Sequence, residues 1–281
     1  MRYRFLRFPG NKPKAVTLSY DDGVKEDLRF SDIITKYGFK CTFNYNTGIN
    51  NQLTDDEIHT YVLSRGHEIA VHGNFHRAPG LLRPIEGIKE FLDCRLALEN
   101  RFNTIIRGCA YPDSGITHFE NDADYKTIRN YLTECDIVYA RTLGADNNSF
   151  NIPGDFLAWM PTAHHSNPKI MEYIDEFLDI DFSGKVYGAN RFARLFYMWG
   201  HTYEFEQNNN WELIENICKK LGSRDDIWYA SNMEIYNYVN AYYSLHYSAD
   251  GRIIYNPTLY KIWVDIDGES YCIDSGETIR I

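Results

Sequence analysis

The sequence has no run approaching the roughly 20 consecutive apolar residues that a membrane-spanning helix requires, so no membrane partner is expected. Its start, Met1-Arg2-Tyr3-Arg4-Phe5-Leu6-Arg7-Phe8-Pro9-Gly10, is positively charged but lacks the apolar core of a secretory signal, which points to the cytoplasm. Positive charge is also in short supply: 29 Lys and Arg stand against 39 Asp and Glu, a formal charge of −10. That balance argues against nucleic acid, because a phosphate-backbone binder needs clustered cations to displace counterions. The six cysteines (Cys41, Cys94, Cys109, Cys135, Cys218, Cys272) are scattered, with no C-x-x-C pair and no regular spacing. Reduced thiols follow more simply than a disulfide framework. Internal repeats, low-complexity tracts and long linkers are absent as well.

What is present is ordinary globular material with a strong aromatic component. Hydrophobic residues make up 44% and charged residues 24% of the 281 residues, enough apolar surface for a sizeable core. Tyr contributes 22 residues and Phe 16, which suits an aromatic core and stacking surfaces for sugar rings.

Short β-rich runs alternate with longer amphipathic stretches, the pattern of β/α units. The strand candidates are Lys14–Tyr20, Lys40–Asn46, His67–His72, Thr104–Ala110, Asp136–Thr142, Asp155–Ala163, Arg194–His201 and Ile227–Ser231, most of them rich in β-branched or aromatic residues. Helices are expected at about Lys25–Tyr37, Asp55–Ser64, Ile85–Asn100, Asp124–Glu134, Pro168–Leu178 and Trp211–Leu221, with a last one reaching about Leu245. Thr54-Asp55-Asp56-Glu57 and Ser231-Asn232-Met233-Glu234 have the spacing of capping boxes, in which a hydroxyl and a Glu three residues apart satisfy orphan amides. About eight strands with intervening helices fit one α/β barrel over residues 1–245. From 246 to 281 the pattern changes. Asp250-Gly251 and Asp267-Gly268 are hairpin signals, and Lys261–Asp265 and Ser270–Ile273 alternate apolar with polar, as in a small β appendage.

Four segments carry residues suited to chemistry. Ser19-Tyr20-Asp21-Asp22-Gly23 ends the first strand at the face where barrel enzymes keep their active sites. Successive residues of an extended chain point in different directions, so one carboxylate can ligate a metal while its neighbour serves as a base. His72-Gly73-Asn74-Phe75-His76 closes the third strand with two imidazoles four residues apart, and with Asp22 they make a His₂Asp set that leaves positions open for water and substrate. Arg107-Gly108-Cys109-Ala110-Tyr111-Pro112-Asp113-Ser114-Gly115 closes the fourth, where Pro and Gly end the ladder. Leu195-Phe196-Tyr197-Met198-Trp199-Gly200-His201 is an aromatic strand ending in His, and a histidine at that rim suits a general acid for a leaving amine.

Together these segments resemble the NodB-type polysaccharide deacetylases, carbohydrate esterase family 4, over about Lys14 to Tyr238. Ser19–Gly23 is similar to the family's T-F-D-D-G motif, His72–His76 to its H-[ST]-x-x-H, Tyr111-Pro112 to its third motif and His201 to the end of its L-x-x-H motif. The resemblance implies a distorted (β/α)₇ barrel and a hydrolase that removes acetyl groups from N-acetylated sugars. It also implies a divalent metal, zinc first and cobalt or manganese next, held by Asp22, His72 and His76. Asp21 is then the base, His201 the acid, and the amide of Asp113 an oxyanion donor beside Tyr111 and Pro112. Two alternatives stay open: the ring-amide amidase branch of the same superfamily, and a carbohydrate-binding barrel that has lost catalysis. Trp199, Tyr203 and Trp159 are candidates for stacking on the sugar.

The motifs depart from the family in two places. Many members read R-P-P-Y in the third motif, whereas here Ala110 stands where the Arg is usual and Asp113 where an aromatic is usual. Arg107 would face the other side of a regular strand, so Arg141, near the end of the next strand, is the candidate to orient Asp21. The D-x-x-D-W motif is missing, leaving Asp146 and Asp155 as candidate partners for His201.

Overall fold

The computed structural model describes residues 2–49, 52–142, 149–182 and 191–281. A short strand, β1 (Arg4–Arg7), stands apart from the main sheet. Strand β2 (Lys14–Asp21) follows and is buried at all eight positions, as befits a parallel strand covered on both faces. The sheet is completed by β3 (Cys41–Tyr45), β4 (Glu68–Val71), β5 (Gly108–Ala110), β6 (Tyr139–Arg141), β7 (Ala163–His164), β8 (Arg194–Gly200) and β9 (Ile227–Tyr229). Its order is β6-β5-β4-β3-β2-β8-β7, all parallel. Strand β9 pairs with Lys14–Val16 of β2, below β3, which pairs with Leu18–Asp21. This is the curled, incomplete barrel expected from the sequence.

Helices α1 (Glu26–Lys36), α2 (Asp55–Ile58), α3 (Pro84–Phe102), α4 (Tyr125–Glu134), α5 (Ile170–Leu178), α6 (Tyr203–Gln207), α7 (Trp211–Leu221) and α8 (Asn232–Tyr243) connect the strands. Both expected capping boxes form. Thr54 Oγ1 accepts from the Glu57 amide while Glu57 accepts from the Thr54 amide, and Ser231 and Glu234 do the same at α8. After Ile58 the second helix widens into a π turn, His59–Leu63, so the expected helix changes pitch midway.

One strand expectation fails. Asp155–Ala163 is not a strand: Asp155 Oδ1 accepts from the Leu157 amide and starts a 3₁₀ turn, Phe156–Ala158. Only Trp159 then bridges to Arg141, and Ala163–His164 pairs with β8. Pro161 lies between these two points and has no N–H to give a ladder, so the barrel closes through an irregular segment here.

The C-terminal segment forms two antiparallel three-stranded sheets from β10 (His246–Tyr247), β11 (Ile253–Tyr255), β12 (Ile262–Ile266), β13 (Glu269–Ile273) and β14 (Thr278–Arg280). Strands β12 and β13 turn at Asp267-Gly268, both with positive φ, the two-residue hairpin expected there. The third strand of that sheet is β1, pairing Arg4 with Ile266. Beside it Asp265 is buried between Arg7 (3.2 Å) and Arg191 (2.5 Å). All six thiols are free. No described helix is long and apolar enough to cross a membrane.

Alternation along β2 determines what lines the barrel. Val16, Leu18 and Tyr20 pack outward under the helices, Tyr20 against Phe30 of α1 with ring centroids 4.0 Å apart. Thr17, Ser19 and Asp21 therefore face inward, into a buried polar column. Thr17 donates to Asn232 Oδ1 (2.8 Å), Asn232 donates to Tyr197 Oη (2.6 Å), and Asn44 bridges Ser19 and Asp21, each at 2.8 Å. Asp21 sits at the top of that column.

Candidate active site

Strand β2 is followed by two residues of positive φ, Asp22 (82°) and Gly23 (66°). Asp tolerates this region better than most side chains, because its short polar group finds local hydrogen bonds. The turn breaks the strand's alternation. Asp21 and Asp22 consequently face the same imidazole, each with an oxygen 3.7 Å from His72 Nε2. The ring of His72 is buried and its Nδ1 lies 3.0 Å from the Ala110 carbonyl. A carbonyl can only accept, so Nδ1 carries the proton and Nε2 presents a lone pair. That Nε2 is buried with no hydrogen-bond partner. His76 Nε2 lies 3.6 Å from Asp22 Oδ1. An unpartnered buried nitrogen beside a second imidazole and a carboxylate is the donor set of an open metal site, so these residues fit a divalent cation.

The loop carrying His76 is shaped by Glu90, which is not among the sequence candidates. Its Oε1 accepts from the Phe75 amide (2.8 Å) and the Arg77 amide (2.9 Å). Gly73 has φ 78°, and a Cβ there would lie 2.6 Å from that same oxygen, so only glycine lets the loop close over Glu90.

Asp21 is the most enclosed member of the site. Asn44 donates to Oδ1 at 2.8 Å and Arg141 to Oδ2 at 2.5 Å, with the Arg and Asp side chains at most 2% exposed. Burial pushes the Asp21 pKa up, but Arg141, His72, His201 and Asn44 together outweigh it, and the net shift is downward. Arg141 and Ala110 are direct register partners on β6 and β5. The guanidinium thus arrives from the strand next to the one whose residue is reduced to alanine. Arg107 instead pairs with Asp136 on the surface (2.7 Å).

His201 completes the rim. Its Nε2 lies 3.9 Å from Asp21 and 4.0 Å from Asp22, while Nδ1 meets Glu204 Oε1 at 3.0 Å. Burial lowers the imidazole pKa, and the Glu204 hydrogen bond with the charges of Asp21 and Asp22 more than reverses this, so it ends raised. The partner of His201 is therefore Glu204, three residues on, and not Asp155, which serves Tyr125, Arg129 and the Leu157 amide. Asp146 lies outside the described residues. The i, i+3 spacing of a strand-end histidine and an acidic residue entering a helix is the sequence signal for this pair.

The stacking candidates divide. Trp159 is 1% exposed and packs on Tyr139, Phe156 and Tyr197, so it belongs to the core and does not reach a sugar. Trp199 is likewise buried, with Arg141 4.3 Å from its ring centre and His164 against its edge. Tyr203 remains partly open, 5.1 Å from the His201 ring. The Tyr111 ring is buried and its hydroxyl donates to the Leu157 carbonyl (2.8 Å); Pro112 is buried beside it, leaving the exposed Asp113 (φ 51°) as the open part of that turn. Phe75, not among the candidates, is the exposed ring between the two histidines, beside a cavity of about 480 Å³.

The family model for polysaccharide deacetylase matches residues 9–153, just over half of the chain. The chain belongs to the polysaccharide deacetylase family. Its members are hydrolases acting on amide and ester bonds. Solved structures agree on the deacetylase fold. A candidate polysaccharide deacetylase from Mycobacterium smegmatis is 15% identical with a TM-score of 0.58, the match covering 86% of this chain and 96% of that one. One from Pseudomonas aeruginosa PAO1 is 12% identical with a TM-score of 0.56, covering 82% and 92%. The PuuE allantoinase, 12% identical, has a TM-score of 0.57 over 82% and 91%. No curated protein sequence matches the chain.

Proposed function

We infer that this deacetylase removes the N-acetyl group of an amino sugar, in a poly- or oligosaccharide, with a divalent cation held by Asp22, His72 and His76. The observation that carries the reading is the convergence of two carboxylates with different surroundings on one buried, unpartnered histidine nitrogen. A divalent ion in that donor set, with zinc the first expectation and cobalt or manganese the alternatives, supplies Lewis acidity toward an acyl oxygen and acidifies water.

The protein's own groups account for the proton transfers. Asp21 is kept ionised by Arg141 and retains a lone pair on each oxygen after its two hydrogen bonds, so it can take a proton from the attacking water. The amide of Asp113, the exposed residue after Pro112, is the group we assign to donate to the developing oxyanion. His201, whose Nδ1 meets Glu204, directs Nε2 into the site, and in its protonated form can deliver that proton to the departing nitrogen. Arg141 acts through Asp21 by fixing its orientation. Tyr203 and Phe75 are the open rings on which a sugar can stack.

The test pairs acetate release from N-acetylated chito-oligosaccharides with metal analysis of the purified protein. Asp21→Asn should abolish release while keeping the wild-type metal content, and Asp22→Ala or His72→Ala should lose release together with one equivalent of metal. Metal content unchanged in all three variants, or full release by Asp21→Asn, would overturn these roles.

A further inference from the structure

Beyond the Asp22, His72 and His76 set, a second cluster of metal-binding side chains meets on the other side of His201. His164 ends β7, His165 follows it in the turn, and Glu204 lies in the first turn of the helix after His201. His165 Nε2 lies 3.0 Å and His164 Nε2 3.3 Å from Glu204 Oε2. Ligand atoms about 2.0–2.1 Å from one zinc ion are roughly 3.0 Å apart at a right angle and 3.4 Å apart at a tetrahedral angle. Both observed separations fall in that window.

Orientation separates this cluster from an ordinary ion pair. His165 is 1% exposed, and both its Nε2 and Glu204 Oε2 are buried without a hydrogen bond, because their 3.0 Å approach lacks the alignment of one. Two buried polar atoms so placed are costly unless a third group satisfies both. The ring cannot swing away to relieve this. It stacks on Phe205 (4.2 Å, 25°) and lies parallel to Tyr20 (5.7 Å, 6°). Its place is also cut into the neighbouring strand, since a Cβ on Gly200 would fall 2.0 Å from His165 Nδ1.

We propose that His164, His165 and Glu204 form a second cation site, taking borderline divalent ions such as Zn²⁺ or Co²⁺, whose occupancy removes the negative partner of His201 and slows turnover. Nitrogen and carboxylate donors together suit ions of that hardness. The site fills after the first one, since only one carboxylate reaches it and that carboxylate is shared with His201, whereas both Asp21 and Asp22 border the first. Once Glu204 Oε2 is committed to a cation, the proton on His201 Nδ1 no longer faces an unshared anion. The slowing rests on the acid role inferred for His201; the site itself does not.

The test is a Co²⁺ titration of the metal-free 281-residue chain, followed by cobalt's visible absorption and by equilibrium dialysis. The wild type should bind two equivalents, and Asp22→Ala, His164→Ala and His165→Asn one each, with Asp22→Ala keeping the weaker. His164→Ala removes the more exposed ligand and gives the reading if His165→Asn misfolds. Identical binding by the wild type and His164→Ala overturns the second site. Loss of all binding in Asp22→Ala, with none lost in His164→Ala, does the same while leaving the first site standing. Excess Zn²⁺ should slow acetate release several-fold in the wild type and much less in His164→Ala, each relative to its own rate without excess. Equal inhibition of both overturns the regulatory step.

Discussion

Replacing Arg141 by Met removes the only cation in hydrogen-bond contact with Asp21 among the described residues, and the consequences can be worked from burial. Both side chains are at most 2% exposed, so the variant strands a carboxylate in the barrel interior. Breaking such a pair from one side costs about 3–5 kcal/mol. With an unfolding entropy of about 2.1 cal/mol/K per residue over 281 residues, that loss lowers Tm by about 5–8 °C. The pH dependence has a definite sign. The folded pKa of Asp21 is depressed in the wild type, so its contribution is present above the unfolded value of about 3.9 and fades as pH falls through the folded value. Without Arg141 burial is less opposed and the folded pKa rises. The penalty is then greatest at neutral pH and shrinks on acidification, as Asp21 takes up a proton. Asp21→Asn combined with Arg141→Met removes the stranded charge, so the double variant should lose about 2 kcal/mol less than the sum of the single changes. The assay is thermal and urea unfolding of all four proteins from pH 4 to 8, with kcat for acetate release alongside. A loss that is equal at every pH and additive with Asp21→Asn would show that Arg141 only fills space. A kcat within a few-fold of wild type, rather than down by about 10²-fold, would refute its orienting of Asp21.

Glu204→Gln should move the alkaline limb of the pH–rate profile to lower pH, because Glu204 helps raise the His201 pKa and the acid form then disappears sooner as pH rises. An unmoved limb would exclude Glu204 as the tuning group. Gly108→Ala should lower stability by about 1–3 kcal/mol in urea unfolding, since the new Cβ would fall 2.1 Å from the Tyr139 ring, which hydrogen-bonds Glu68. Phe75→Ala should raise KM for chito-oligosaccharides with little change in kcat, whereas Trp159→Ala should unfold at lower temperature by the cost of a core cavity, about 3–5 kcal/mol. The reverse pattern would exchange the roles of the two rings.

The barrel is largely legible in the sequence because parallel strands buried on both faces read as continuous apolar runs between amphipathic helices. It is least legible at Asp155–Ala163, where composition suggests a strand. There a side-chain cap at Asp155 and the missing N–H of Pro161 produce a turn and two separate bridges instead. Among the site residues, Asp21, Asp22, His72, His76 and His201 are marked by their positions at strand ends, and the structure brings them together. Arg141 is foreshadowed by the small residue at position 110. Glu204 and Glu90 are invisible to a reading of strand ends, since each acts from a helix on a loop or rim that only the fold brings near. The tryptophans mislead for a related reason: an aromatic at a strand end is equally suited to a sugar and to the core, and burial alone separates the two.

The pairing of β1 with β12 joins residues from opposite ends of the sequence, and the Asp265 carboxylate lies buried between Arg7 and Arg191. During synthesis β1 emerges early and its partner late, so its exposed edge must wait for nearly the whole barrel to be made. A version shortened before β12 would keep every group of the active site yet leave two buried guanidiniums without their carboxylate, beside an open strand edge inviting another chain. The remote hairpin thus makes charge balance beside the barrel's first strands depend on a carboxylate that lies far along the chain.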